Sequence, residues 1–187
     1  MKFQKLYIIS IFIIIFLGIT CCSEKDRIKY SVIQMQENTV VIPFDEMVLA
    51  YSDNVNKTYC IQRNNFHLCV YVDSTQCSPC HIDKLFHWNN MIDYTFSLRK
   101  KIDYIFIVAP KTSQKEDAYL SIKSCGLKVP IYVDTAYAFS KNNSYILMEE
   151  QFHTFLIDKD GKVLIIGNPL YNVKIKKLMS SIISTNS

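Results

Sequence analysis

Leu68-Cys69-Val70-Tyr71-Val72-Asp73-Ser74-Thr75-Gln76-Cys77-Ser78-Pro79-Cys80-His81 is the stretch on which the fold turns. Leu68 to Val72 is apolar on both faces, as expected of a central strand covered by helices on each side. From Cys80 to Arg99, the apolar residues Ile82, Leu85, Phe86, Met91, Ile92 and Phe96 keep returning to one helical face, which predicts a helix. Two cysteines separated by Ser78-Pro79 therefore stand where a buried strand has ended and a helix begins.

Downstream, Ile102 to Val108 reads as a second near-continuous apolar strand stopped by Pro110, and Gln114 to Ser124 as a helix with Gly126 placed for its C-cap. Val129 to Val133 is a third short strand, followed by an irregular or partly helical connection over Asp134 to Tyr145. Phe155 to Asp158, the turn Lys159-Asp160-Gly161-Lys162 and Val163 to Ile166 form a hairpin with Asp-Gly inside the turn. Tyr171 to Ser184 carries Val173, Ile175, Leu178, Met179, Ile182 and Ile183, a closing amphipathic helix with lysines on its wet side. Upstream, Asn64-Asn65 separates Thr58 to Arg63 from Phe66 to Asp73, which predicts a hairpin or a tight turn into the buried strand. Residues 23–44 read as a tether and a lead-in strand, with a short apolar piece at Val40 to Phe44, and residues 45–187 as the folded domain. The order of elements predicts an α/β fold: a central mixed sheet with helices on both faces, ended by a β-hairpin and a helix.

The chain has 187 residues, of which 49% are apolar or aromatic, enough for one core of ordinary size. Its 21 Lys+Arg against 17 Asp+Glu, within a charged fraction of 20%, exclude a disordered chain. A net charge of +4 is no signature of nucleic-acid binding. With 7 Cys, the chain is too cysteine-poor for a disulfide-scaffolded miniprotein, so each thiol is judged by position.

Residues 1–22 read as a processing signal. Lys2 and Lys5 form a positive start, and Leu6 to Thr20 is an apolar run of 15 residues, short of the ~20 that cross a bilayer comfortably. The Cys21-Cys22 pair resembles a bacterial lipoprotein signal, with Cys22 (or Cys21) as the lipidated residue. An uncleaved anchor and simple secretion are the alternatives. Each of the three places the folded part outside the cytoplasm, the lipoprotein reading placing it in the bacterial cell envelope, periplasm-facing or at the surface; there a close cysteine pair is either a structural bridge or a working redox couple.

A cysteine at the start of a helix meets unpaired backbone N–H groups and the positive end of the helix dipole, which stabilise a thiolate. Cys77 is thus the expected nucleophile. Cys80, one turn on and expected to be more buried, is the resolving thiol. Pro79 suits the first helical turn, where its missing N–H is no loss.

These features resemble the thioredoxin-like superfamily, in particular the exported TlpA-like thiol-disulfide oxidoreductases. The likeness runs from about residue 45 to the end and rests on strand-Cys77-Ser78-Pro79-Cys80-helix and on Thr154 to Val163. It implies a central sheet flanked by helices, and exchange with protein disulfides and a redox partner in the envelope, with no cofactor. Asp83 stands where such sequences often carry a Glu that tunes the thiols; equally, it reads as a first-turn acid on the helix dipole. Tyr71 occupies the position of the buried Asp of thioredoxins proper. His153 stands where the family has a cis-Pro, and a trans peptide is expected there because a non-Pro cis bond costs ~3–4 kcal/mol. The His153 imidazole can act on the Cys77 pKa, serve as an acid-base group, join Cys77 and Cys80 as a soft-metal ligand, or simply fill space.

Two rivals follow: a metal-binding or metallochaperone module using Cys77, Cys80 and His153, and a non-catalytic interaction domain. Cys77 to His81 also satisfies the C-x-x-C-H haem attachment signature, with His81 as axial ligand, although the β-rich flanks argue against it. Cys60 and Cys69 are read as packing residues facing one another across the Asn64-Asn65 turn. Cys125 is read as packing; Trp88, which follows the motif on its own helix with Phe86 and His87, can border the site, although a Trp there is more often part of the core. The lysines at 174, 176 and 177 read as a solvated face.

Overall fold

The computed structural model describes residues 25–53, 55, 64–75, 79–97, 102–146 and 149–185. Cys21, Cys22, Cys60, Cys77 and Ser78 lie outside these, as do Lys100 and Lys101. Six strands form one sheet: β1 (Val48–Ala50), β2 (Phe66–Val72), β3 (Ile102–Val108), β4 (Ile131–Val133), β5 (Thr154–Asp158) and β6 (Val163–Ile166), in the spatial order β1-β4-β3-β2-β5-β6. β2, β3 and β4 are parallel; β1 runs antiparallel on β4, β5 on β2, and β6 on β5. A parallel unit centred on β3, with β2, the strand before the cysteine motif, at its edge and extended there by an antiparallel hairpin, is a central mixed sheet of the α/β kind expected above.

Helices α2 (Pro79–Asp83), α3 (Asn89–Ser97), α4 (Lys115–Ser124), α5 (Ala138–Asn142) and α6 (Val173–Thr185) follow a helix α1 over residues 25–37. Alternation along the strands divides the interior in two. Leu68, Val70, Tyr104 and Phe106 face a core closed by Ile82, Ile92, Ile122 and Met179 of α2, α3, α4 and α6. Cys69, Tyr71, Ile105 and Ile107 face the other, closed by Met35 of α1, Phe139 of α5 and Phe152. Helices therefore cover both faces, and β3 is buried along its whole length.

Four local readings change. The helix expected from Cys80 to Arg99 is broken: α2 passes into a 3-10 segment, Lys84–Trp88, before α3. The stretch read as a tether contains α1, whose Ser31 and Met35 are buried. Its polar and apolar residues alternate at helical spacing, but the interruptions hid that period. The hairpin across Asn64-Asn65 is excluded, because β2 already has β3 on one edge and β5 on the other. The Thr58 to Arg63 arm itself lies outside the described residues. Val40 to Phe44 makes no strand; a lone bridge joins Thr39 to Lys162.

The C-terminal hairpin turns as expected. Asp158 Oδ1 accepts the N–H groups of Asp160 and Lys162, each at 2.9 Å. Gly161 takes φ 83° and lies against the lead-in, where a Cβ would come within 2.5 Å of the Val40 carbonyl oxygen. The Val40 N–H in turn donates to the Gly161 carbonyl at 2.9 Å. Gly126 ends α4 with φ 71°, the left-handed conformation that favours glycine after a helix. Among the described residues no helix is long and apolar enough to cross a membrane.

Candidate active site

β2 carries the site to the carboxyl edge of the sheet, where α/β proteins expose the ends of their strands to ligands. The first residue past it, Asp73, is 1% exposed. Its Oδ1 accepts the Thr75 N–H at 2.8 Å and the Thr75 hydroxyl at 2.7 Å, so the turn leading to the motif is pinned by its own carboxylate. α2 then starts at Pro79. Cys77 lies outside the described residues, and so does its separation from Cys80.

Cys80 is exposed, which corrects the expectation of a more buried resolving thiol. The reason is helical phase. Ile82 and Leu85 point into the core, and at 100° per residue Cys80 lies some 200° from Ile82, on the wet side of the same turn. The first-turn acid also falls away: α2 is only five residues long and Asp83 closes it. Asp83 is exposed, and its charge adds to burial in pushing up the Cys125 thiol, so its field reaches towards the end of α4.

Beside the motif lies a cleft of about 410 Å³. His81 and Lys84 line one wall, Glu150 and His153 another, and Tyr71 and Thr154 also border it. The described lining includes His81 but not Cys80. His153 is 2% exposed and ends a short 3-10 turn, Glu150–Phe152. Its N–H donates to the Glu150 carbonyl at 3.0 Å, and its carbonyl accepts the Tyr71 N–H at 2.8 Å. The imidazole meets the Tyr71 ring edge-on, with centroids 5.1 Å apart. No peptide bond among the described residues is cis, so the Phe152–His153 bond is trans, as expected from the missing proline.

Tyr71 cannot replace the acid of thioredoxins proper. Burial pushes its phenol up to about 12, with Asp73 and Asp134 adding to the effect and a hydrogen bond with Ser140 opposing it. It is a neutral, packed ring near neutral pH, stacked also on Phe139 at 4.8 Å. The buried carboxylate nearest in sequence to the motif is Asp73, which the sequence reading passed over. Its signal was available: an acid directly after a strand that is apolar on both faces, at the sheet edge where sites form.

Trp88 is 3% exposed and packs edge-on against Phe106 with centroids 5.8 Å apart, a core residue that also borders the cleft. Cys69 is buried and unbridged, and burial drives its thiol strongly up, so it packs rather than reacts. Among the described residues no group of three or more His, Cys, Asp or Glu is arranged to hold a metal ion. Glu149, beside the cleft residue Glu150, makes an ion pair with Arg27 of α1.

No protein-family model matches the chain, and no curated protein sequence matches it. Solved structures do. One is described as a thiol:disulfide interchange protein DsbE from Chlorobium tepidum, with 15% identity and TM-score 0.46, covering 77% of this chain and 94% of that one. A thioredoxin-like protein solved in its oxidised form is 12% identical, with TM-score 0.42, 71% of this chain and 95% of that one being covered. The mitochondrial 2-Cys peroxiredoxin from Plasmodium falciparum is 18% identical, with TM-score 0.44, covering 75% of this chain and 93% of that one.

Proposed function

We propose that the chain is a cell-envelope thiol-disulfide oxidoreductase that exchanges electrons with protein disulfides through Cys77 and Cys80 and works as a reductant. The observation that carries the reading is an exposed Cys80 on the first turn of α2, immediately beyond the central strand β2 and beside a cleft. In this reading Cys77, expected just ahead of α2, is the cysteine whose thiolate the backbone N–H groups of the helix start favour.

In this reading the Cys77 thiolate attacks one sulfur of a substrate disulfide. A Cys77–substrate disulfide forms, the substrate S–S bond breaks, and the departing substrate thiolate takes a proton from water or from an acid in the cleft. The Cys80 thiolate, formed by loss of its proton to water or a base, then attacks the Cys77 sulfur. The Cys77–Cys80 disulfide forms and the second substrate thiolate leaves and is protonated. Two electrons have passed to the substrate, and a dithiol redox partner in the envelope restores the pair. Pro79 fixes the first turn of α2. His153, buried at the cleft beside Tyr71, acts on the motif as an imidazolium or as an acid-base group, and Asp83 contributes charge. Envelope placement rests on residues 1–22 as a signal, with lipid on Cys22 or Cys21 tethering the domain to the membrane.

Replacing Cys80 by Ala tests the reading. Exposed to envelope extract, Cys80→Ala accumulates mixed disulfides on Cys77 that thiol reductants release, and the double variant with Cys77→Ser accumulates none. Absence of any trapped partner on Cys80→Ala overturns the proposal.

A further inference from the structure

The two edges of the sheet are treated differently. At β6 the ladder with β5 is irregular between Leu156 and Ile157, and Thr39 bridges Lys162 just before the strand; a bulge and a covering segment are ordinary ways of blunting an edge. β1 has neither. It is Val48-Leu49-Ala50, paired only on its β4 side among the described residues, with no charge, proline or bulge. Val48 is 54% exposed and Leu49 37%.

A groove of about 570 Å³ runs beside this edge, with Leu49, Ala50 and Tyr51 on the strand side and Tyr119 and Leu120 on α4. Leu120 is 67% exposed. An open strand next to a helix, with apolar side chains on both, is the geometry in which an extended peptide adds to a sheet and drops alternate side chains into the groove. The flanks of the strand are acidic: exposed Asp45 and Glu46 precede β1 and Asp53 follows it, with no Lys or Arg between residues 45 and 53, and the groove lining itself adds Glu116 against Lys123. A second copy fits poorly, because pairing through its own β1 brings the same acidic flanks, Asp45, Glu46 and Asp53, against these.

We infer that β1 and α4 form a docking groove for an extended, apolar segment of a substrate protein flanked by Lys or Arg residues. The inference rests on the oxidoreductase reading above and names how its substrates are held. The sheet register links the two places: Val48 lies beside Val133, Val133 beside Val108, and Val108 beside Val72, the last residue of β2. A strand added beyond β1 lies four strand spacings from β2, about 19 Å. Antiparallel addition to β1 makes the guest run parallel to β2, towards the motif. At about 3.3 Å per extended residue, a substrate cysteine about six residues beyond the C-terminal end of the docked segment spans that distance.

The probe is a cysteine-free, fluorophore-labelled decapeptide of alternating Val and Thr between two pairs of Lys, titrated into the full chain and followed by anisotropy. Leu49→Lys and Asp53→Lys, both at exposed positions, each weaken binding about tenfold or more, and a Glu-flanked version of the peptide binds the unaltered chain as weakly. Leu49→Lys reduces a small aromatic disulfide at the parent rate. Binding of the cysteine-free peptide persists in Cys77→Ser, so loss of exchange and loss of docking are read separately. Linked peptides carrying a disulfide six residues past the docked segment react faster than those carrying it six residues before. Binding unchanged within about twofold in both groove variants, equal binding of the Glu-flanked peptide, or a dimer of the free chain abolished by Leu49→Lys would each overturn the assignment. Equal rates for the two disulfide placements would overturn the link to the motif.

Discussion

Truncating His153 to Ala separates a packed ring from a decorative one. The residue is 2% exposed and its ring meets Tyr71 edge-on at 5.1 Å. The partly polar imidazole belongs at the lower end of the ~1.5–3 kcal/mol for burying a large side chain, and an edge-on ring pair adds ~0.5–1.5 kcal/mol. Alanine keeps both backbone hydrogen bonds, to Glu150 and from Tyr71, so the loss falls on the ring alone: about 2–3 kcal/mol. For a chain of this size that lowers Tm by about 4–12 °C. His153→Phe, which retains bulk and an aromatic edge, recovers most of it. Melting is followed by circular dichroism, and alkylation of the motif thiols against pH is measured alongside. If the imidazolium stabilises the Cys77 thiolate, both variants move the alkylation midpoint to higher pH, whichever way their stabilities differ. A melt of His153→Ala within about 1 °C of the parent would refute the packing argument, since no ring seated against Tyr71 can be removed at so small a cost.

Three further outcomes are expected. The Tyr71 phenol titrates near 10 when unfolded and at about 12 in the fold, so the folded state holds the proton more tightly. The stability this gives is complete below about pH 10 and is lost as pH rises towards 12; denaturant midpoints at pH 8 and pH 11 should diverge less in Tyr71→Phe than in the parent. Asp134 is fully buried and accepts the N–H of Ala138 at 2.9 Å on Oδ1 and of Phe139 at 2.8 Å on Oδ2. Asp134→Ala strands both donors at the start of α5 and costs about 2–4 kcal/mol in urea unfolding, with Asp134→Asn losing less. Gly161→Ala forces a Cβ to 2.5 Å from the Val40 oxygen at φ 83°, so it destabilises by more than about 1 kcal/mol. Amide exchange at Val40, whose N–H is held by Gly161, accelerates.

The frame was legible where one physical signal dominated. β2 and β3 announce themselves because burial on both faces leaves no polar alternation to misread, and the Asp160-Gly161 turn because its geometry requires specific residues. α1 escaped notice because its buried stripe, Ile28, Val32 and Met35, is thin and interrupted by charge. The broken helix after the motif kept one apolar period across three segments, and periodicity does not register a change from α to 3-10 winding. The direction of Cys80 was misjudged for a related reason. Position along a helix does not give depth, which is set by phase, and Ile82 takes the inward side. Asp73 is readable from its place directly after β2, whereas the Tyr71–His153 contact joins residues that only the tertiary fold brings together.

The ion pair between Arg27 and Glu149 has a practical corollary for anyone preparing this protein. Trimming the gene back to the first strand would remove Arg27 and cut a stay on Glu149, the neighbour of Glu150 at the rim of the cleft. A shortened preparation that behaved poorly would then show a slackened wall rather than the loss of anything ahead of α1.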